Sequence, residues 1–315
     1  MEPSYEFPIE QYFFTENRCY KANKRIAPIC VQVHSVGCKG TDRDRWRRWN
    51  NSSIEKCPNA FIDTQGIMQT LPWDCRPWLS GSGSVGNANN FAIGFEMCEP
   101  STVNDTPDTA HYLYECCKYL CTQFCIDYGI LPGNVLCHAE LHKYGVASNH
   151  ADVTHWWGKP GTSWEPYTMD RLRSEIASDL ASKGYPIKAE QLPANRLPTL
   201  KKGYIGEETK YLQRLIGVTS DGKFGADTES AVKKFQKSKN LSADGVCGPK
   251  TWAALITNPV EDEPVVPPEP INPEPIEPDP DDNTELVEMT LAEALEVRAM
   301  LRKALEIVEK AIESR

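Results

Sequence analysis

Residues 137–157 read CHAELHKYGVASNHADVTHWW and carry four of the chain's six histidines, together with Glu140 and Asp152. Imidazole nitrogen and carboxylate oxygen are ligands that zinc accepts, and a catalytic zinc needs three of them with a fourth position left for water. A further candidate, His34, closes the apolar run Ile29-Cys30-Val31-Gln32-Val33 far upstream, so folding has to bring it in. Histidine-rich segments also occur as surface loops, and composition alone leaves both readings open.

The elements that must position such a site can be read from periodicity. Alternating apolar patterns over 29–36, 59–63, 67–71 and 91–97 predict strands, and apolar stretches over 108–128 and 169–183 predict helices. Strands interspersed with helices predict an α/β domain with a mixed sheet flanked by helices. Cys117, Cys121 and Cys125 fall at i, i+4 and i+8, the spacing of a buried helical stripe, and read as small core hydrophobes. The basic cluster 43–48 (RDRWRR) reads as a solvated loop that could touch an anionic substrate. His111 sits on the 108–128 helix and reads as structural.

Composition shifts divide the 315 residues. Prolines at 186, 193 and 198 mark a linker over 186–202 that separates a domain at 1–185 from a compact block at 203–257. Prolines alternate with acids over 258–283, which predicts an extended spacer. In 284–315, Thr290 and Glu293 form a capping box, and Val287, Leu291, Ala294, Leu301, Leu305, Val308 and Ile312 fit heptad positions. That pattern predicts an amphipathic helix able to self-associate as a coiled coil, so a homo-oligomer is expected. Of the formal charge of −10, nine acids and no base lie in 261–283, and seven acids face five bases in 284–315. The chain before them is near neutral, which gives no support to a nucleic-acid partner. No apolar run is long enough to span a bilayer. The first residues lack a positive n-region, so synthesis in the cytoplasm without a signal peptide is expected, and the twelve cysteines are then expected to be free thiols.

The block at 203–257 repeats itself: DGKFGADT at 221–228 and DGVCGPKT at 244–251 each open on an Asp-Gly turn and lead into a helical run. Leu212 and Leu215, then Ala231, Val232 and Phe235, then Trp252 and Leu255 are enough to fill a small three-helix core. With Leu212-Gln213, Phe235-Gln236 and Thr251-Trp252, the block resembles the peptidoglycan-binding repeat domain found beside many cell-wall hydrolases. The resemblance implies attachment to bacterial wall polymer.

Residues 1–185 in turn resemble the zinc-dependent N-acetylmuramoyl-L-alanine amidases, the family shared by phage endolysins, bacterial autolysins and animal peptidoglycan recognition proteins. The first zinc histidine of that family matches His34 in VQVHSVG, a glutamate at a strand end matches Glu96 in IGFE, the second histidine matches His138 in CHAE, and the third ligand matches Asp152 in NHADVTHWW. Many members carry a substrate-facing lysine two positions before the third ligand; this chain has His150. The usual Pro-Gly after that ligand is replaced by Val153-Thr154. The resemblance implies Zn2+ on His34, His138 and Asp152, with Glu96 as general base and His150 as a hydrogen-bond donor to the oxyanion. His142, His150 and His155 remain alternative ligands. Trp156 and Trp157 read as packing or groove residues.

The expected activity is cleavage of the amide between N-acetylmuramic acid and L-alanine of bacterial peptidoglycan, with action at the cell wall after phage-induced lysis or non-classical export. Two alternatives stay open: a zinc endopeptidase of the stem peptide, and a non-catalytic peptidoglycan receptor. A cysteine hydrolase built on Cys137 is disfavoured, because adjacent residues do not easily place thiolate and imidazole as nucleophile and base.

Overall fold

The computed structural model describes residues 7–39, 43–99, 105–192 and 194–256. The acidic spacer and the candidate coiled coil lie outside the described residues.

One mixed six-stranded sheet organises the N-terminal part. Its order is β1 (Ile9–Gln11), β4 (Gly66–Gln69), β3 (Ala60–Asp63), β5 (Ala92–Glu99), β2 (Cys30–Lys39) and β6 (Val135–Cys137). Every pairing is parallel except the β3–β4 hairpin. The short edge strands β1 and β6 escape sequence reading, since three residues hold too little alternation to register. At the centre, β2 and β5 have neighbours on both edges, and side chains alternate between the two faces. Val31, Val33, Ile93, Phe95 and Met97 meet α3 (Pro107–Tyr128) and α5 (Met169–Ser182) in one core cluster. Gln32, His34, Gly94 and Glu96 therefore share the opposite face, and the register pairs Gln32 with Gly94 and His34 with Glu96. These are the polar and small positions on otherwise apolar strands, and they collect at one place.

The helix α3 starts where the Thr106 hydroxyl accepts from the Thr109 N–H at 3.2 Å, with Pro107 in its first turn, and stops at Gly129 with φ of 66°. Its cysteine stripe is buried as expected. Burial pushes the Cys125 thiol up to about 12 and that of Cys121 well above its ordinary value, so neither forms a thiolate near neutral pH. The RDRWRR cluster departs from the expectation of a solvated loop. Arg43–Arg47 form a short helix, α2, in which Arg43 is buried and holds Asp63 through two bonds of 2.9 and 3.1 Å, while Trp46 stacks on Phe61 at 5.0 Å. The alternation of arginine with an aromatic conceals a side that packs.

The C-terminal module has three helices, α6 (Glu207–Ile216), α7 (Ala226–Ser238) and α8 (Pro249–Leu255), after a short helix α4 (His138–Tyr144) and α5 of the first domain. Its internal repeat is carried by two glutamines. Gln213 Nε2 donates to Asp221, the Lys223 carbonyl and Thr228 at 2.7, 3.0 and 3.0 Å, and its Oε1 accepts from the Gly222 N–H. Gln236 does the same for Asp244, the Val246 carbonyl, Thr251 and the Gly245 N–H. Each amide thus satisfies one Asp-Gly turn from inside.

The described residues form a single compact unit. One apolar cluster runs from Phe91, Leu136 and Leu141 to Ile205, Leu212 and Phe224, and the 186–202 segment contributes buried Leu192, Leu197 and Leu200 to it. Asn134 is the polar pin: its Nδ2 donates to the Ile29 carbonyl at 3.1 Å and to Glu208, and its Oδ1 accepts from the Glu207 N–H at 2.7 Å. Gly206, at φ of 125°, permits that approach, since a Cβ there would lie 2.5 Å from Asn134 Oδ1.

Burial pushes the Glu208 carboxyl up to about 7, against the lowering effect of its Asn134 hydrogen bond. Between pH 4.5 and about 7 the unfolded carboxyl has lost its proton while the buried one keeps it, so stability falls as pH rises through that window. The expected loss is about 3 kcal/mol. Urea titrations across this range should show the slope in the unsubstituted chain and a flatter one in Glu208→Gln; identical slopes would mean that Glu208 ionises normally.

Candidate metal centre

His34 ends the central part of β2, and His138 is the first residue of α4, directly after β6, whose Cys137 pairs with Val33. The neighbouring strands therefore deliver both imidazoles to one end of the sheet. Asp152 arrives on the loop after α4. Its backbone carbonyl accepts from the Ala139 N–H at 3.3 Å, and buried Val153, Trp156 and Trp157 anchor the chain that follows. Trp156 and Trp157 pack against Trp164, with centroids 4.3 and 6.1 Å away, and Tyr114 of α3 meets Trp157 at 5.7 Å. The paired tryptophans are packing residues.

Three donor atoms converge. His34 Nδ1 lies 3.1 Å from His138 Nδ1 and 3.2 Å from Asp152 Oδ2, and His138 Nδ1 lies 3.5 Å from that oxygen. Donors arranged tetrahedrally around zinc at normal bond lengths are separated by about 3.3 Å. The far side of each ring fixes the proton. His138 Nε2 lies 2.9 Å from the Ser148 carbonyl and His34 Nε2 lies 3.2 Å from Gln32 Oε1, oxygens that accept only, so both Nε2 atoms carry hydrogen and both Nδ1 atoms present lone pairs. Gln32 is itself held: its Nε2 donates to the Ala92 carbonyl at 3.2 Å, and Ser80 Oγ donates to its Oε1. Gly94 provides the room, since a Cβ there would lie 2.3 Å from Gln32 Cγ.

Facing lone pairs at this separation repel unless a positive charge lies between them. Burial disfavours a charged imidazole at His34 and lowers its pKa, although the Asp152 carboxylate lies beside it. Two neutral imidazoles and one carboxylate fit a zinc ion.

Glu96 stands beside His34 in the strand register, with its Oε2 shut off from solvent and without a hydrogen-bond partner. Burial, and after it the negative charge of Asp152, pushes this carboxyl well above its ordinary value. His150 is exposed and its ring lies 4.8 Å from that of His138, at the rim of the site. The other histidines lie elsewhere. His142 is exposed, with Nδ1 3.2 Å from the Ala147 carbonyl, and His155 faces Glu99 at 3.2 Å. A helical side chain leans towards the N-terminus of its helix, so His138 in the first turn reaches β2 while His142 lies a turn behind. His111 accompanies Tyr167, 3.3 Å away. Burial pushes the Cys137 thiol up to about 12, which removes it as a nucleophile near neutral pH.

Residues 24–162 match the family model described as N-acetylmuramoyl-L-alanine amidase. This part of the chain is similar to the N-acetylmuramoyl-L-alanine amidase family. Residues 206–255 of the C-terminal module match a model described as a peptidoglycan binding domain. A Bacillus licheniformis protein named "Probable N-acetylmuramoyl-L-alanine amidase" is 28% identical over 180 residues, 54% of this chain and 46% of that protein. The amidase CwlH of Bacillus subtilis is 25% identical over 238 residues, 69% of this chain and 85% of that protein. The chain thus spans about half the length of the first relative and most of the second. A solved mutant endolysin from Bacillus subtilis aligns at 20% identity with a TM-score of 0.43, covering 54% of this chain and 99% of that one. His34, Glu96, His138 and Asp152 all lie within the amidase match.

Zinc bound per purified chain is expected to be close to one and to fall to near zero in His34→Ala and in Asp152→Ala, measured by elemental analysis. Gln32→Leu, which keeps the side-chain volume but removes the acceptor, should weaken zinc binding about 10–100-fold. Undiminished affinity in Gln32→Leu would show that the His34 ring is oriented by something else.

Proposed function

We propose that the chain hydrolyses the amide joining N-acetylmuramic acid to L-alanine in bacterial peptidoglycan, with Zn2+ held by His34, His138 and Asp152, and that its C-terminal module attaches it to the wall. The observation that carries this reading is the convergence of three donor atoms beside the unpartnered Glu96 inside the amidase-family match. A zinc ion held there would supply a Lewis acid for the scissile carbonyl and lower the pKa of water.

The remaining steps belong to the protein's own side chains. Glu96, whose burial strengthens it as a base, takes the proton from the attacking water and passes it to the leaving amine. Its unpartnered Oε2 can accept that proton without first giving up another hydrogen bond. His150 at the rim donates a hydrogen bond to the oxygen on which negative charge develops, the role of a preorganised donor. Gln32 and Ser148 keep both imidazoles in the Nδ1-basic form throughout. The site of action is the wall; among the described residues no helix is long and apolar enough to cross a membrane.

Mass spectrometry of digested walls decides the bond. Intact stem peptides with a free L-alanine amine, and glycan strands ending in unsubstituted lactyl groups, are expected; split stems would assign an endopeptidase, and no release at all a receptor. Glu96→Gln is expected to keep its zinc and its fold while turnover drops about 10²–10⁴-fold. A drop of less than tenfold would move the base to another residue.

A further inference from the structure

The two modules enclose a cleft of about 490 Å³ whose lining includes none of the three metal donors. Its walls come from both sides: Glu140, Lys143 and Tyr144 of α4 and Arg173 of α5 face Glu207, Lys210 and Lys223 of the C-terminal module. Both acids are already neutralised. Glu140 pairs with Arg173 at 3.0 Å, and Glu207 with Lys210 at 2.6 Å. Among the described residues neither Lys143 nor Lys223 has an ion-pair partner, and Lys223 Nζ donates to the Lys143 carbonyl at 3.0 Å, which brings its ammonium against the base of Lys143. The lining therefore holds two uncompensated ammonium groups. Gly133 keeps the two walls close, since a Cβ there would lie 2.6 Å from Glu207 Cγ.

We infer that this cleft is a second, non-catalytic ligand site that takes a carboxylate-bearing peptide, and, resting on the proposed function, that the peptide is a stem of peptidoglycan. The ammonium groups of Lys143 and Lys223 receive carboxylate oxygens. Glu207 and the half-buried Tyr144 offer acceptors to amide N–H groups, which a peptide has and a polyphosphate lacks. Two ammonium groups beside these acceptors match a ligand that carries both carboxylates and amide N–H groups, which a pure polyanion does not. The volume suits a few residues. His138 and Tyr144 are the two ends of α4, about 9 Å apart at the helical rise, so a stem in the cleft lies near the metal donors without occupying them. The site exists only while the modules are docked.

The test is isothermal titration of the full chain carrying Asp152→Ala, so that the metal centre is disabled, with the synthetic peptide L-Ala-γ-D-Glu-L-Lys-D-Ala. One binding event is expected. Adding Lys143→Glu with Lys223→Glu should weaken it at least tenfold, and amidating the carboxyl groups of the peptide should abolish it. Lys143→Gln with Lys223→Gln serves as a milder pair if charge reversal lowers the unfolding midpoint. No binding, binding indifferent to these substitutions, or tighter binding of poly(glycerol phosphate) than of the peptide would overturn the inference. Bond cleavage by the unsubstituted chain is read separately, so failure of the amidase reading and failure of the cleft give different results.

Discussion

Two basic imidazole nitrogens held face to face inside a protein need a positive charge between them, and much of the N-terminal domain is arranged to keep His34 and His138 in that state. The Ser148 carbonyl and the amide oxygen of Gln32 hold the Nε2 protons, so neither ring can turn its N–H inwards. Burial resists protonation of His34, and the negative charge of Asp152 completes a pocket suited to a divalent cation. Breaking one buried support leaves a donor or acceptor unsatisfied, which costs more than the net value of the bond.

The sheet converts this requirement into sequence positions. Parallel pairing of β2 with β5 and β6 brings three strand ends to one edge, and the two-residue side-chain period puts His34 and Glu96 on the face away from α3. His34 was legible for that reason, as a histidine that ends an apolar alternating run, whereas Glu96 was reached through the family resemblance. Asp152 stood out only as one of two carboxylates in the histidine-rich segment, and the family resemblance chose between them, because a loop has no periodicity. The supports were less visible. Ser80 and Ser148 lie in irregular segments where nothing in residue type or spacing marks them. Gln32 did leave a trace, as an amide two positions before His34 inside a fully apolar strand, and Gly94 left another as the small residue opposite it.

The same contrast holds in the C-terminal module. The repeated Asp-Gly turns were readable because turn chemistry is local. The inner role of Gln213 and Gln236 was not, since a glutamine before a turn carries no mark of burial until the helices pack. Prolines at 186–202 suggested a linker, yet the leucines between them are buried against both neighbours. Proline limits regular structure without preventing packing, and Asn134 with Gly206 then joins the modules at a point that composition could not indicate.

An amidase-like domain and a module similar to peptidoglycan-binding domains share one apolar cluster and present their surfaces in a set relation, so under the proposed function attachment of one limits which bonds reach the other. The proposed chemistry rests on an ion at His34, His138 and Asp152. Zinc K-edge absorption fine structure of the metal-loaded chain tests that claim most directly. Nitrogen and oxygen neighbours at about 2.0 Å, with the multiple-scattering signature of two imidazoles and no sulfur, is the predicted result. A sulfur shell at about 2.3 Å would place the ion among the cysteines and contradict the account.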